Sequence, residues 1–142
     1  MELIWFSEIL SAYVSSRNDI SDCFTTLLFW TMYTYIHDEI VPAEKAFLHV
    51  RDLSIQRGYG VFDFLKTQDG YPLFLIDYLT RFYNSADIMH MSVPRRPEEV
   101  ISIIHQLIKK NNLADSGIKM ILTGGYSEDG YQPGKPNLII TQ

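Results

Sequence analysis

Cysteine is nearly missing from this sequence, which has a single one, Cys23, in 142 residues. One thiol cannot pair within the chain, so no intrachain disulfide is expected, and a zinc site built from several cysteines is excluded. A lone thiol suits the reducing cytosol, so a cytoplasmic location is expected. Basic residues are also few: twelve Lys and Arg against seventeen Asp and Glu leave a formal charge of −5. No basic stripe is concentrated enough to hold a nucleic-acid backbone. Long apolar runs are missing too. The longest, 23–36, is about 14 residues and broken by threonines, short of the ~20 that a membrane helix needs. Asp19 and Asp22 precede it and no convincing small-residue cleavage site follows, so it also makes a poor signal peptide. No internal repeat or low-complexity tract is present.

What remains reads as one soluble domain with an extension. Before Met32, Leu3, Phe6, Ile9, Leu10 and Tyr13 recur at helical spacing with Ser7, Glu8, Ser11 and Ser15 opposite, which predicts an amphipathic helix within an extension covering 1–31. From Met32 the pattern turns β-like. Runs 33–36 and 39–41 across His37-Asp38 predict one hairpin, and 60–66 and 71–75 across Gln68-Asp69-Gly70 a second. Ile76, Leu79, Tyr83, Ala86 and His90 follow a 3.6 period with Asp77 as a candidate cap. The next helix is better marked. Pro97, Glu98 and Glu99 fill its first turn, Val100, Ile103, Ile104 and Leu107 form its buried stripe, and Lys109 and Lys110 close it before Asn111-Asn112. Strands at 118–122 and 138–141 flank a glycine- and proline-rich loop. The order predicts an α+β domain, mainly antiparallel sheet with two helices on one face.

Several motifs fail on their chemistry. Gly130 to Lys135 resembles a phosphate loop but is one residue short, and Pro136 stands where Ser or Thr must reach magnesium. His37, His49, His90 and His105 lack metal-ligand spacing, so no metal site is expected. Cys23 has no basic neighbour to make it a thiolate and reads as an inert buried thiol. Arg81 stands apart, because helical phase sets it about 170° from the centre of its helix's apolar stripe. Spacing alone favours a solvated pair with Asp77, four residues earlier.

Three stretches carry a more specific signal: QRGYGVFDFLKT (56–67), YLTRFYNSADIM (78–89) and IKMILTGGYSEDGY (118–131). Together they resemble the class IV aminotransferases, which include branched-chain and D-amino-acid aminotransferases and aminodeoxychorismate lyase. The match runs from about Tyr33 to Gln142.

The resemblance implies that residues 32–142 form the N-terminal small domain of a fold-type IV enzyme dependent on pyridoxal 5'-phosphate. It implies that Gly58, Gly60, Phe62 and Asp63 line a substrate pocket, with Phe62 as a wall and Tyr59 beside it. Arg81, in Tyr-Leu-Thr-Arg-Phe-Tyr-Asn-Ser-Ala after the Gly70-Tyr71-Pro72 turn, would hold the cofactor phosphate in the complete protein. Lys119 stands where branched-chain enzymes often have arginine, so it would meet a substrate carboxylate with charge but without a bidentate fork. The family's Arg-Tyr-Gly-Asp-Gly is replaced here by Gln56, Arg57, Gly58, Tyr59 and Gly60.

None of Lys45, Lys66, Lys109, Lys110, Lys119 or Lys135 matches the family's cofactor-bonding lysine, which lies in a second domain. No catalytic residue is therefore assigned to these 142 residues. In the complete protein the implied reaction moves an amino group from an amino acid, with branched-chain substrates expected, to a 2-oxo acid, in a homodimer. The alternatives are a lyase resembling aminodeoxychorismate lyase and a non-catalytic remnant or interaction domain. Phe62, Phe64 and Tyr59 are expected on an exposed apolar surface.

Overall fold

A computed structural model describes residues 32–142. Residues 1–31, expected to form an extension with a helix and containing Cys23, lie outside the described residues.

The chain begins with β1 (Tyr33–Ile36) and β2 (Glu39–Pro42), the expected first hairpin. Its turn places His37 and Asp38 at φ 52° and 67°, the left-handed geometry of a two-residue hairpin turn in which Asn-Gly is the easier pair. Asp38 is held there by contacts with Tyr35 and Arg95. A short helix that the periodicity did not show, α1 (Leu53–Arg57), follows. Asp52 caps its start by accepting from Ser54 N at 2.8 Å, and Gly58 ends it at φ 66°.

The long strand β3 (Gly60–Gln68) turns at Asp69-Gly70 into β4, which is only Tyr71–Pro72 because α2 (Leu75–Ile88) starts directly after it. The buried side of α2 is Leu79, Phe82 and Ala86; Ile76 and His90, expected in that stripe, are exposed. Asp77 sits in the first turn and does not cap, since the cap position is Phe74. Helix α3 (Pro97–Asn111) matches its expected stripe and adds Ile108, and Asn112 stops it in the left-handed region at φ 53°. Strands β5 (Ser116–Thr123) and β6 (Asn137–Thr141) complete the sheet.

The six strands lie in the order β2-β1-β6-β5-β3-β4, and every paired neighbour is antiparallel. One core joins sheet residues Leu65, Ile118, Met120, Leu122 and Ile140 to Leu79 and Phe82 of α2 and Ile104 and Leu107 of α3. Both helices thus cover the same sheet face, and the fold is the expected α+β arrangement. Among the described residues no helix is long and apolar enough to cross a membrane.

Candidate functional site

Successive residues of a strand point to opposite faces, and in β3 this separates neighbours by role. Asp63, Leu65 and Thr67 are buried on the helix side, while Phe62 and Phe64 face outward at 67% and 49% exposure. Asp63, implied to line a pocket beside Phe62, therefore faces the other way.

Its carboxylate meets Arg81. Arg81 Nε donates to Asp63 Oδ2 at 2.7 Å, and Nη2 donates to Oδ1. The backbone N–H of Phe64 donates to Oδ1 at 2.8 Å. The pair with Asp77 that spacing favoured is not formed. Hydrogen bonding to Asp63, with the attraction of its charge, raises the Arg81 pKa further above its ordinary value. The carboxylate is only 3% exposed, whereas the arginine side chain is 65% exposed. The guanidinium carbon lies 5.0 Å from the centroid of the Tyr78 ring. Phe74, Asp77, Tyr78 and Arg81 line a cleft of about 300 Å3.

Lys119 is on the outward face with Phe62, its Nζ 4.9 Å from that ring's centroid, in cation–π range. The register explains this meeting: Phe62 is opposite Ile121 and Phe64 opposite Lys119, so Phe62 and Lys119 are diagonal neighbours. Tyr59 is half-buried and already engaged. Its hydroxyl donates to the Met89 carbonyl, its backbone carbonyl accepts from Gly124 N at 3.0 Å, and its ring packs against Gly124. Of the three residues expected on an exposed apolar surface, Phe62 and Phe64 are there and Tyr59 is not.

All six lysines are exposed, unlike a desolvated lysine tuned to bond a carbonyl carbon. The four histidines are exposed as well, and no acidic, His or Cys group among the described residues gathers into a metal site. Lys135 runs through Pro136 into β6, so no helix follows the glycine-rich segment.

One important residue was missed by sequence reasoning. Asp52 is fully buried and accepts from Ser54 N and Oγ, Thr123 Oγ1 at 2.7 Å and Asn137 Nδ2 at 2.8 Å. It ties α1 to both strands that carry the glycine-rich loop. The signal available was an Asp cap six residues before Gly58.

The family model for class IV amino-transferases matches residues 60–142, more than half of the chain. The chain belongs to the class IV aminotransferases. A Methanocaldococcus jannaschii protein named "Putative branched-chain-amino-acid aminotransferase" is 30% identical over 76% of this chain and 38% of its own length. The D-alanine aminotransferase of Staphylococcus epidermidis is 28% identical over 64% of this chain and 32% of its own. This class IV chain thus spans about two-fifths or less of the length of these curated relatives. In fold it is similar to the branched-chain amino acid aminotransferase of Escherichia coli, with a TM-score of 0.73 at 24% identity over 78% of this chain and 40% of that one. The sheet and helices are those of the N-terminal domain of such fold-type IV enzymes.

Proposed function

We propose that this chain supplies the phosphate-anchoring side of a class IV aminotransferase that moves an amino group between a branched-chain amino acid and a 2-oxo acid. The observation that carries this is Arg81: a guanidinium with two of its five N–H groups fixed by Asp63, lining an open cleft. Its donor set fits a phosphate, which a planar fork binds bidentately. Pyridoxal 5'-phosphate, when bound, supplies the electron sink for amino transfer. A solved branched-chain amino acid aminotransferase of similar fold, with a TM-score of 0.70 at 21% identity, contains pyridoxamine 5'-phosphate.

Each residue then has a task. Arg81 binds the phosphate and Tyr78 supports the guanidinium face. Phe62 excludes water, and Lys119 offers a point charge to a substrate carboxylate. Phe62 and Lys119 lie on the sheet face away from Arg81, which suits a homodimer in which this face closes the site of the second copy. Tyr59 shapes the adjoining wall through its backbone and ring. We place the protein in the cytoplasm, and read residues 1–31 as an extension to the small domain. The branched-chain choice is supported by the names of relatives such as the M. jannaschii protein.

None of the six lysines matches the family's cofactor-bonding lysine, so residues 1–142 alone are non-catalytic in this reading. Sequencing the DNA beyond the Gln142 codon tests it. A second domain in frame, or one base out of frame, is expected, and its complete product should transaminate L-leucine with 2-oxoglutarate. Absence of that domain would support a non-catalytic remnant, and a complete product inactive on every amino acid would contradict the aminotransferase reading.

A further inference from the structure

We propose that Asp63 is the positioning residue of the phosphate site: it locks Arg81 so that the outer edge of the guanidinium is presented to the ligand. This rests on the reading of Arg81 as the phosphate anchor.

The geometry is asymmetric. Asp63 is 3% exposed on a paired strand and is further fixed by the Phe64 backbone N–H at 2.8 Å. Arg81 projects from α2 with its side chain 65% exposed. The buried carboxylate is therefore the fixed member and the long arginine the one that is ordered. Arginine has five N–H donors in one plane. Asp63 takes the Nε–H and one Nη2–H, the inner edge. Both Nη1 hydrogens and the second Nη2 hydrogen remain, and one from each nitrogen forms the outer fork that matches two phosphate oxygens. Tyr78, 5.0 Å from the guanidinium carbon, restricts rotation out of that plane. In-plane orientation thus comes from Asp63 and tilt from Tyr78.

Charge and geometry act in opposite directions here. Asp63 neutralises Arg81, and Asp77 lines the same cleft. If Asp63 acted only through its charge, removing that charge would tighten phosphate binding. If it acts by orientation, removal weakens binding although the site becomes more positive, because an unlocked guanidinium must be ordered by the ligand.

The test uses the 15N-labelled 142-residue chain and pyridoxamine 5'-phosphate, which has no aldehyde to react with exposed lysines. In the wild type the Arg81 Nε–H should exchange with water at least about tenfold more slowly than that of exposed Arg57. Added ligand should shift the Arg81 Nη signals and leave Nε in place. Asp63→Asn, which keeps one acceptor oxygen but loses the charge and the second, should reduce the Nε–H protection and weaken ligand binding about three- to tenfold. Asp63→Glu should recover part of both, which a purely structural role would not produce. Nε–H exchange as fast as that of Arg57 would overturn the proposal, and this arm needs no variant to fold. Unchanged or tighter binding by folded Asp63→Asn would overturn it as well. If Arg81→Ala binds the ligand like the wild type, or the wild type shows no binding, the phosphate reading itself fails. Nε–H protection would then show Asp63 ordering Arg81 without a phosphate role.

Discussion

Arg81 and Asp63, 18 residues apart, form a bidentate pair between α2 and β3, with Arg81 Nε 2.7 Å from Asp63 Oδ2. The same pair fastens a helix to the sheet and fixes one edge of a guanidinium that lines a cleft.

Tyr59 and Phe62 differ in what holds them, one bonded within the fold and the other facing outward. Tyr59→Phe removes the bond to the Met89 carbonyl and should cost about 1 kcal/mol in urea unfolding. Phe62→Ala, at an outward position with 67% exposure, should change stability by less than about 0.5 kcal/mol. A large loss from Phe62→Ala would place that ring in the core rather than at a site.

Asp52 predicts acid sensitivity. Burial pushes its pKa up, but hydrogen bonds from Thr123, Ser54 and Asn137 more than reverse this and hold it below the usual carboxylate range. A depressed folded pKa contributes stability above the unfolded value of about 3.9 that is lost as pH falls through the folded value. Asp52→Ala should therefore cost about 3 kcal/mol at neutral pH. The variant's deficit should shrink in denaturant melts below about pH 4. A deficit constant with pH would contradict the role of the carboxylate charge.

Tyr83 predicts the opposite limb. Burial, with Glu98 and Glu99 nearby, pushes its pKa up to about 12, and its hydroxyl donates to the Arg95 carbonyl at 2.6 Å. A raised folded pKa gives stability that is complete below the unfolded value of about 10 and lost as pH rises toward the folded one. Ultraviolet titration should show one tyrosinate, absent in Tyr83→Phe, forming near pH 12. Its ionisation near the unfolded value of about 10 would place Tyr83 in solvent.

Gly125 predicts the fragility of the loop between β5 and β6. Its φ is 77°, and a Cβ there would run into the backbone of Gly134 and Lys135. Gly125→Ala should destabilise by about 2–4 kcal/mol, read as a fall in melting temperature. An unchanged melting temperature would mean that the two loop legs separate freely.

Much of this fold was legible because its strongest signals are local. The α3 stripe, the Asn112 stop and the hairpin at His37-Asp38 follow from residue spacing alone. Period alone gives α2 a stripe that omits Phe82 and includes Ile76 and His90, because it cannot show which flank meets β3. The site was legible less fully. Helical phase correctly set Arg81 off the buried stripe, but its partner is non-local, and the nearer Asp77 was the only carboxylate that spacing could offer. The cap signal of Asp52 is local, but its ties to Thr123 and Asn137 are not, since these lie 71 and 85 residues away.

The most direct measurement is a phosphorus-31 titration of pyridoxamine 5'-phosphate with the 142-residue chain, Arg81→Ala and Asp77→Ala. The wild type should bind at millimolar ligand, weakly because Asp63 and Asp77 oppose an anion at the cleft. Arg81→Ala should weaken binding by about tenfold or more, each ~1.4 kcal/mol being one decade. Asp77→Ala should bind at least as well as the wild type. Equal binding by wild type and Arg81→Ala would contradict the account.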